Sequence, residues 1–315
     1  MTIYSTSAPA KIILFGEHAV VYGHPAIAAP VDTLRARARV EKAPPDSGVT
    51  ILIPSIGQRL HVNPYEDTID NTLTFTVRQT LETLEIAHHP DLIIILESDI
   101  PIASGLGSGA AVSAAIARAL SHAIDRPFSD DALNDLVYTI EKRHHGTPSG
   151  IDNTVIVYEK PIYFVRGQPI ESIKVAQPVM LLIADSGHAT PTHITVGDVR
   201  RLHEKEPDQI GAIFGRIGAL AQQARSLLES GNPESLGGLM IENHSLLQRL
   251  TVSSPALDLL CDAALEGGAS GAKMSGGGRG GNMIALVNAK TRASTEKALR
   301  SAGARNIIRF DLGGE

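Results

Sequence analysis

Apolar and polar positions recur with two different periods along the chain, and these periods predict both strands and helices. Residues 34–41 and 49–53 alternate apolar with polar side chains, as half-buried strands do. Residues 71–84 instead carry an apolar side chain every three or four positions, which is typical of one buried helix face. The continuous apolar runs at 92–96 and 179–184 predict strands that are buried on both faces.

The rest of the chain follows the same two periods. The helical spacing recurs at 110–124, from Ser129, at 210–228, at 234–250, from Ser254 and at 293–302. Short apolar segments predict further strands at 11–15, 19–22, 155–158, 161–165, 283–287 and 306–310. Strands separated by helices in this order indicate an α+β protein with antiparallel pairing.

Length and composition limit the class of protein. A chain of 315 residues with 43% hydrophobic and 20% charged residues is long enough for one large or two ordinary globular domains. The net charge of −6 gives no reason to expect nucleic acid or an anionic membrane surface as a partner. No apolar run approaches the roughly 20 residues of a membrane span, and the N-terminus does not resemble a secretory signal. The single cysteine, Cys261, excludes an internal disulfide and a cysteine metal cage, so we expect a cytoplasmic protein.

Three loops combine glycines with polar or charged residues, at 8–23, 101–111 and 273–281. The second follows the strand predicted at 92–96 and precedes the helix predicted at 110–124. Glycines let a backbone turn sharply and let a ligand approach, and the first N–H groups of a helix attract anions. This order predicts a phosphate-binding loop, with a tight turn that binds nothing as the alternative. The glycine run at 273–281 would by itself also suit a flexible linker.

Taken together, the three loops resemble the GHMP kinases, and the resemblance covers essentially the whole chain in order. The sequence PIASGLGSGAA at 101–111 resembles the phosphate loop of this family, and KMSGGGRGGNMIAL at 273–286 resembles its C-terminal glycine motif. Two further segments are more discriminating, because they resemble the mevalonate kinase branch of the family. They are APAKIILFGEHAVVYGHPAIA at 8–28 and HHGTPSGIDNTV at 144–155.

The resemblance implies a fold that the pattern alone does not give. It implies an α+β protein whose N-terminal domain, residues 1–172, contains a left-handed βαβ element, whereas right-handed crossovers are the general expectation. The C-terminal domain, residues 173–315, is expected to be ferredoxin-like, with the active site in the cleft between the domains. A polar segment at 167–177 is consistent with a boundary there.

The resemblance also implies the reaction and its partners. ATP would be the co-substrate and Mg²⁺ the cofactor, and the γ-phosphoryl group would pass to the primary hydroxyl of mevalonate to give 5-phosphomevalonate. Neither nucleic acid nor a membrane is an expected partner, and the oligomeric state stays open, with a homodimer as one alternative. The rival functions are a GHMP kinase for another acceptor, such as phosphomevalonate or a sugar, and a ligand-binding relative without catalysis.

Site residues are implied where the motifs match. Asp152 is the expected catalytic base for the acceptor hydroxyl, and Lys11 is expected to keep that carboxylate ionised and to stabilise the developing charge. Glu141 is the expected Mg²⁺ ligand, because Mg²⁺ takes one or two carboxylates beside phosphate oxygens. The residues expected to line the acceptor site are Glu17, His18, Ser149, Gly150 and Thr192. The residues expected to bind the nucleotide phosphates are Pro101, Ile102, Ala103, Ser104, Gly105, Leu106, Gly107, Ser108, Gly109, Ala110 and Ala111.

Four of the polar site residues have a structural alternative. Asp152 would also suit an Asx turn, and Lys11 and Glu141 would also suit solvated positions at a strand and on a helix. His18 could be a loop histidine with a structural role.

The chain departs from the family pattern at two positions. Gly109 stands where the phosphate loop usually has a second serine that contacts Mg²⁺, so Ser108 or a water would have to substitute. Arg279 stands where the third motif usually has glycine, and it either reaches the phosphates or points to solvent. Lys273, at the start of that motif, is expected to be structural.

Overall fold

The computed structural model divides into two compact units that are each discontinuous in sequence. It describes residues 2–63, 71–88, 90–101, 104–145, 148–188 and 190–313. The first unit comprises Met1–Ala10, Val31–Ile102 and Gly107–Glu159, and the second comprises Lys11–Pro30, Ala103–Leu106 and Lys160–Glu315. The units therefore do not coincide with the division expected at residue 172, which stays a prediction.

The first unit contains a mixed sheet. Strand β1 (Thr2–Phe15) begins in this unit and ends in the second. Strand β2 (Ala26–Lys42) begins in the second unit and ends in this one. The other strands of the first unit are β3 (Val49–Ile53), β4 (Gln58–Val62) and β5 (Leu92–Ser98). The order is β4-β3-β5-β2, in which β3 and β5 are parallel and the other neighbours are antiparallel. The expectation of antiparallel pairing is thus confirmed for all but one of these pairs.

Four helices complete the first unit as the structure describes it. They are α1 (Thr72–Thr83), α2 (Ser108–Ala123), α3 (Asp130–His145) and α4 (Ile151–Tyr158). Helix α2 contacts each of the other three and is rich in alanine, whose small side chain lets neighbouring helices approach closely. The buried face of α2 fixes the helix whose first turn follows the second glycine loop.

The second unit is built on an antiparallel sheet with the order β11-β8-β10-β9. Its strands are β8 (Val179–Asp185), β9 (Gly271–Ser275), β10 (Asn282–Leu286) and β11 (Asn306–Leu312). Every residue of β9 and β10 is buried, because α7 (Leu236–Arg249) and α8 (Pro255–Glu266) pack on this part of the sheet. Strands β9 and β10 flank the third glycine loop, so the loop projects from a rigid hairpin.

The second unit also contains two short strands that are not part of this sheet, and further helices. Residues 26–28 of β2 pair with β6 (Ile162–Phe164), and β6 pairs with β7 (Glu171–Ser172). The other helices are α5 (Thr192–Lys205), α6 (Pro207–Ser230) and α9 (Arg292–Ser301). Within the part of the chain that the structure describes, no helix is both long enough and apolar enough to cross a bilayer.

Most predicted elements are present, but two predicted strands are wrong. Residues 155–158 belong to the helix α4, although Val155, Ile156 and Val157 favour strands. Gly150 begins this helix with a φ of 93°, and burial of its apolar side chains overrides their β propensity. Residues 19–22 form a short 3-10 helix that ends at Gly23 in the left-handed region. Helix α5 and strand β9 are elements that the apolar pattern did not predict.

Candidate active site

In the first unit, the second glycine loop leads directly into the N-terminus of α2. Gly107 is the N-cap of this helix, has a φ of 75° and offers no side chain to cap the first turn. The first N–H groups of α2 are therefore available to an anion, which the positive end of the helix dipole also favours. Among the residues expected to bind phosphate, Ser108, Gly109, Ala110 and Ala111 lie in this turn. Ile102 and Ala103 lie outside the described residues.

Glu141 lies beside the first turn of α2. It is on α3 and is largely buried, with an exposed fraction of 7%. Its Oε1 lies 3.4 Å from the position that a Cβ would take at Gly109. The structure thus places the expected metal-binding carboxylate next to the position at which the family serine is missing. Among the described residues, no group of three or more His, Cys, Asp and Glu side chains is arranged to hold a metal ion.

Asp152 lies in the first turn of α4, directly after the turn formed by Ser149 and Gly150. The Ser149 hydroxyl accepts a hydrogen bond of 3.3 Å from the backbone N–H of Ile151. The backbone carbonyl of Gly150 accepts a hydrogen bond of 2.7 Å from the Thr154 hydroxyl. These local bonds fix the start of the helix and so hold the Asp152 carboxylate at its first turn.

In the second unit, the N-terminal motif contacts the end of the second glycine loop. The backbone N–H of Lys11 donates a 3.0 Å hydrogen bond to the carbonyl oxygen of Leu106. The Lys11 side chain itself is buried, with an exposed fraction of 4%. Because amphipathic lysines usually extend their ammonium group into solvent, this burial favours a functional or paired role over a solvated one.

The third glycine loop also contacts the second one. Asn282, directly after this loop, donates a 2.6 Å hydrogen bond from Nδ2 to the Ser104 carbonyl. A Cβ at Gly281 would lie 3.1 Å from the same carbonyl oxygen, which is a tight contact, and the φ of 72° at this residue also favours glycine. At the other end of the loop, the Ser275 hydroxyl donates to the carbonyl of Ile13 at 2.7 Å. Segments of all three motifs therefore contact one another within the second unit, to which Ser104 and Leu106 of the second loop belong.

His18 connects the N-terminal motif with the third loop. Its Nε2 lies 3.0 Å from the Gly277 carbonyl, and because a carbonyl only accepts, Nε2 carries the hydrogen. Burial lowers the pKa of His18 to about 4; the positive charge of Arg279 adds to this effect, and the hydrogen bond to Gly277 opposes it. His18 is thus neutral near pH 7 and holds the third loop by its backbone.

Glu17 is buried in an ion pair with Lys273. The side chains of both residues are almost fully removed from solvent, and Lys273 Nζ donates to Glu17 Oε1. Asn243 donates to the other carboxylate oxygen at 3.2 Å. Burial lowers the pKa of Lys273, and the charge of Glu17 opposes that effect. The structure places Lys273 inside the second unit, in agreement with its expected structural role.

Helix α5 contacts the third loop at two places. One contact involves Thr192, and the other involves Arg279. Thr192 is the first residue of α5, and a Cβ at Gly277 would lie 2.8 Å from its hydroxyl oxygen. Arg279 forms an ion pair with Asp198 of α5 through Nη1. Its Nε also donates a 3.0 Å hydrogen bond to the carbonyl of Thr251. The guanidinium of Arg279 therefore binds protein groups of α5 and of the segment at Thr251.

The sequence did not identify several of these contacts. Asn243 and Asp198 lie on helices far from the motifs in sequence, and no local pattern marks them. Asn282 does carry a signal, since it follows the glycine run directly, but an amide there would also suit an ordinary strand start. Only the pairing of distant segments shows which of these polar groups support the loops.

Two family models match separate regions of the chain. The model of the GHMP kinases N terminal domain matches residues 71–160, and the model of the GHMP kinases C terminal domain matches residues 224–305. The mevalonate kinase of Pyrococcus abyssi is 34% identical over 96% of this chain and 93% of its own length. The mevalonate kinase of Thermococcus sibiricus is 33% identical over 96% of this chain and 94% of its own length.

Solved structures agree with these relatives. The crystal structure of L. major mevalonate kinase in complex with R-mevalonate has a TM-score of 0.86 and 28% identity, and covers 98% of this chain and 95% of that protein. The Methanococcus jannaschii mevalonate kinase has a TM-score of 0.83 and 26% identity over 98% of this chain and 96% of that protein.

Proposed function

The chain belongs to the GHMP kinases, among their mevalonate kinases, and we propose that it transfers the γ-phosphoryl group of ATP to the primary hydroxyl of mevalonate. The product would be 5-phosphomevalonate, an intermediate of isoprenoid synthesis. The observation that carries this proposal is the set of contacts among segments of the three motifs within the second unit. His18 bonds to Gly277, Asn282 bonds to Ser104, and Lys11 bonds to Leu106.

Binding of the nucleotide phosphates is proposed for the second glycine loop and the first turn of α2. Backbone N–H groups at a glycine-capped helix start supply donors without a competing side chain. We propose Pro101–Ala111 as this site. Kinases hold polyphosphate chiefly by positioning and charge stabilisation, which such a backbone cradle provides.

Mg²⁺ is the proposed cofactor, with Glu141 and Ser108 as its protein ligands. A carboxylate and a hydroxyl are hard oxygen donors, and Mg²⁺ commonly has few protein ligands because waters and phosphate oxygens complete its shell. The buried Glu141 carboxylate next to the start of α2 fits this requirement. When bound, Mg²⁺ would neutralise charge on the phosphate oxygens.

Proton transfer is the proposed task of Asp152. The acceptor oxygen attacks the γ-phosphorus, the bond from that phosphorus to the ADP oxygen breaks, and the hydroxyl proton passes to the Asp152 carboxylate. Lys11 is the proposed cation that stabilises negative charge on the acceptor oxygen. The proposed acceptor contacts are Glu17, His18, Ser149, Gly150 and Thr192. For Glu17, both carboxylate oxygens already have protein partners, so its role would include holding the N-terminal motif.

A cytoplasmic location is proposed as well. The single cysteine, Cys261, is buried on α8, and burial raises the pKa of its thiol. A chain with one buried thiol suits a reducing compartment, in which ATP is also available.

The test is an acceptor comparison with the purified protein, ATP and Mg²⁺. ADP release is measured with R-mevalonate, phosphomevalonate, galactose and homoserine, and with no acceptor as the background. We expect release above background with mevalonate and a product with one phosphate on the primary hydroxyl, identified by ³¹P NMR. Turnover with another acceptor in place of mevalonate would support a different GHMP kinase. Binding of ATP or mevalonate without any turnover would support a relative that has lost catalysis.

A further inference from the structure

Arg279 occupies a backbone conformation that favours glycine. Its φ is 54°, and its loop neighbours Gly278 and Gly280 also have positive φ values. The backbone of an L residue with a side chain is strained in this region, so contacts of the residue must offset the strain.

The guanidinium of Arg279 is directed toward two protein segments. Its Nη1 pairs with Asp198 of α5, and its Nε donates 3.0 Å to the carbonyl of Thr251. Its Nη2 lies 3.4 Å from the Thr251 hydroxyl. The backbone of Arg279 is held too, since its N–H donates to Val252 at 2.7 Å and its carbonyl accepts from Thr190 at 2.9 Å. Hydrogen bonds to neighbouring segments therefore hold both the side chain and the backbone of Arg279.

The contact with Arg279 changes the pKa of Asp198. The hydrogen bond and charge of Arg279 lower the pKa of the Asp198 carboxyl, so this group stays ionised at neutral pH. Asp198 also pairs with Arg201, which is on the same helix and is 73% exposed. An arginine fork can bind a carboxylate with defined geometry, which a lysine ammonium does not reproduce.

The same helix contacts the loop a second time, at its first residue. Thr192 lies against Gly277, and a Cβ there would be only 2.8 Å from the Thr192 hydroxyl oxygen. The carbonyl of Gly277 in turn accepts the hydrogen bond from His18. Only Gly278 separates Gly277 from Arg279 in the loop, so the Arg279–Asp198 pair and the Thr192–Gly277 contact join the same two segments.

We propose that Arg279 is a positioning residue that latches the third glycine loop to α5, and thereby sets Thr192 and Gly277 for the acceptor. The latch consists of Arg279, Asp198 and the Thr251 carbonyl. The guanidinium acts through Asp198 and Thr251 and is not a phosphate ligand. This inference rests on the proposed kinase function, because it assigns a specificity role within that site.

The test compares Arg279→Gly, Arg279→Lys, Asp198→Asn and the charge exchange Arg279→Asp with Asp198→Arg. Glycine fits the backbone at this position, and aspartate tolerates the left-handed region better than most residues. We expect Arg279→Gly to raise the KM for mevalonate about tenfold while kcat changes less than about threefold, as misplacement of binding groups does. Asp198→Asn and Arg279→Lys should change the same KM in the same direction. The exchanged pair should have a lower KM than either of its single variants.

The matched control is Arg201→Ala. It removes the other cation beside Asp198 without touching the loop, and its KM for mevalonate should stay within about twofold. A direct phosphate ligand would give a different pattern, in which Arg279→Gly raises the KM for ATP and Asp198→Asn has no effect. That pattern would overturn the latch. Additive effects of Arg279→Asp and Asp198→Arg on the KM for mevalonate would also overturn it.

Failure of the proposed function is distinguishable from failure of the latch. If the parent protein phosphorylates none of the acceptors, the function is wrong, and the latch is tested by the melting temperatures of the same variants. Shifts for the two exchanged charges that are not additive would support a direct latch between 279 and 198. Additive shifts would overturn it in this case also.

Discussion

Lys273 and Glu17 form an ion pair with side-chain exposures of 0% and 1%. Lys273 also donates a 2.7 Å hydrogen bond to the carbonyl of Met274, and Asn243 donates to the second oxygen of Glu17. Two charges removed from water are tolerated only when their partners satisfy them. The N-terminal motif is therefore joined to β9 by a contact whose loss leaves an uncompensated charge.

Replacement of Glu17 by Gln should destabilise the fold strongly. The variant keeps the shape of the side chain but leaves the Lys273 ammonium buried without its counter-charge, which typically costs about 3–5 kcal/mol. Urea unfolding at pH 7, followed by circular dichroism, measures the free energy of unfolding of the variant and the parent.

The control for this prediction is a partly exposed ion pair, in which the side chains of Arg292 and Glu296 keep 40% and 22% of their surface exposed. Glu296→Gln breaks the pair of Glu296 with Arg292 on α9, which should change the free energy of unfolding by less than about 1 kcal/mol. The double variant Glu17→Gln with Lys273→Met removes both charges and should recover part of the loss. Equal effects of Glu17→Gln and Glu296→Gln would contradict the prediction.

His18 should make the folded protein less stable as the pH falls. Its pKa is about 4 in the folded state and 6.5 as the unperturbed value, so the unfolded state binds more protons between these two values. Stability that is present above pH 6.5 is therefore lost progressively as the pH falls toward 4, by up to about 3 kcal/mol. The free energy of unfolding in urea, measured at several pH values between 4 and 7.5, checks this slope.

His18→Gln isolates the contribution of this one group. Glutamine retains an amide donor for the Gly277 carbonyl and does not titrate in this range. The variant should show a smaller loss of stability between pH 6.5 and 4 than the parent protein does. An unchanged slope would mean that His18 is protonated in the fold or that other groups carry the pH dependence.

The sequence predicted the elements of this fold better than it predicted their contacts. The helix after the second loop was expected at 110–124 and lies at Ser108–Ala123, because alanine spacing and the preceding glycines both favour it. The apolar run 155–158 was wrongly expected to be a strand. Its helix depends on burial in the first unit, and a local propensity cannot contain that information.

The contacts of the site residues differ in how far the sequence could predict them. Glycine at 281 has a local reason, since its φ of 72° is a conformation that residues with a side chain rarely adopt. The Lys273–Glu17 pair joins residues that lie 256 positions apart in the chain. The Arg279–Asp198 pair likewise depends on where α5 packs, and α5 was not predicted.

Asp152→Asn should abolish turnover without weakening the binding of ATP. The amide retains the size of the side chain but cannot accept a proton from the acceptor hydroxyl, so kcat should fall by at least about 10²-fold. Steady-state kinetics with mevalonate measure kcat, and isothermal titration with ATP and Mg²⁺ measures the dissociation constant. Asp130→Asn, an exposed carboxylate in the first turn of α3, is the matched control and should leave kcat unchanged. A near-normal kcat for Asp152→Asn would refute the role of Asp152 as the base.

Gly109→Ser should preserve or raise the affinity for Mg²⁺. Gly109 lies in the first turn of α2, and a Cβ there would make an ordinary contact of 3.4 Å with Glu141 Oε1. The introduced hydroxyl is a hard oxygen donor beside a carboxylate, the kind of ligand that Mg²⁺ prefers. Serine also favours a helix over glycine by a few tenths of a kcal/mol, so the fold should not lose stability.

The dependence of the rate on Mg²⁺ at saturating ATP and mevalonate measures this effect, and the concentration for half-maximal rate should be equal or lower in Gly109→Ser. Gly109→Ala is the matched control, because it adds the same Cβ without a donor oxygen. A lower Mg²⁺ requirement in the serine variant but not in the alanine variant supports a metal ligand at position 109. The same decrease in both variants would instead attribute the effect to helix stabilisation. A higher Mg²⁺ requirement in the serine variant alone would contradict the prediction.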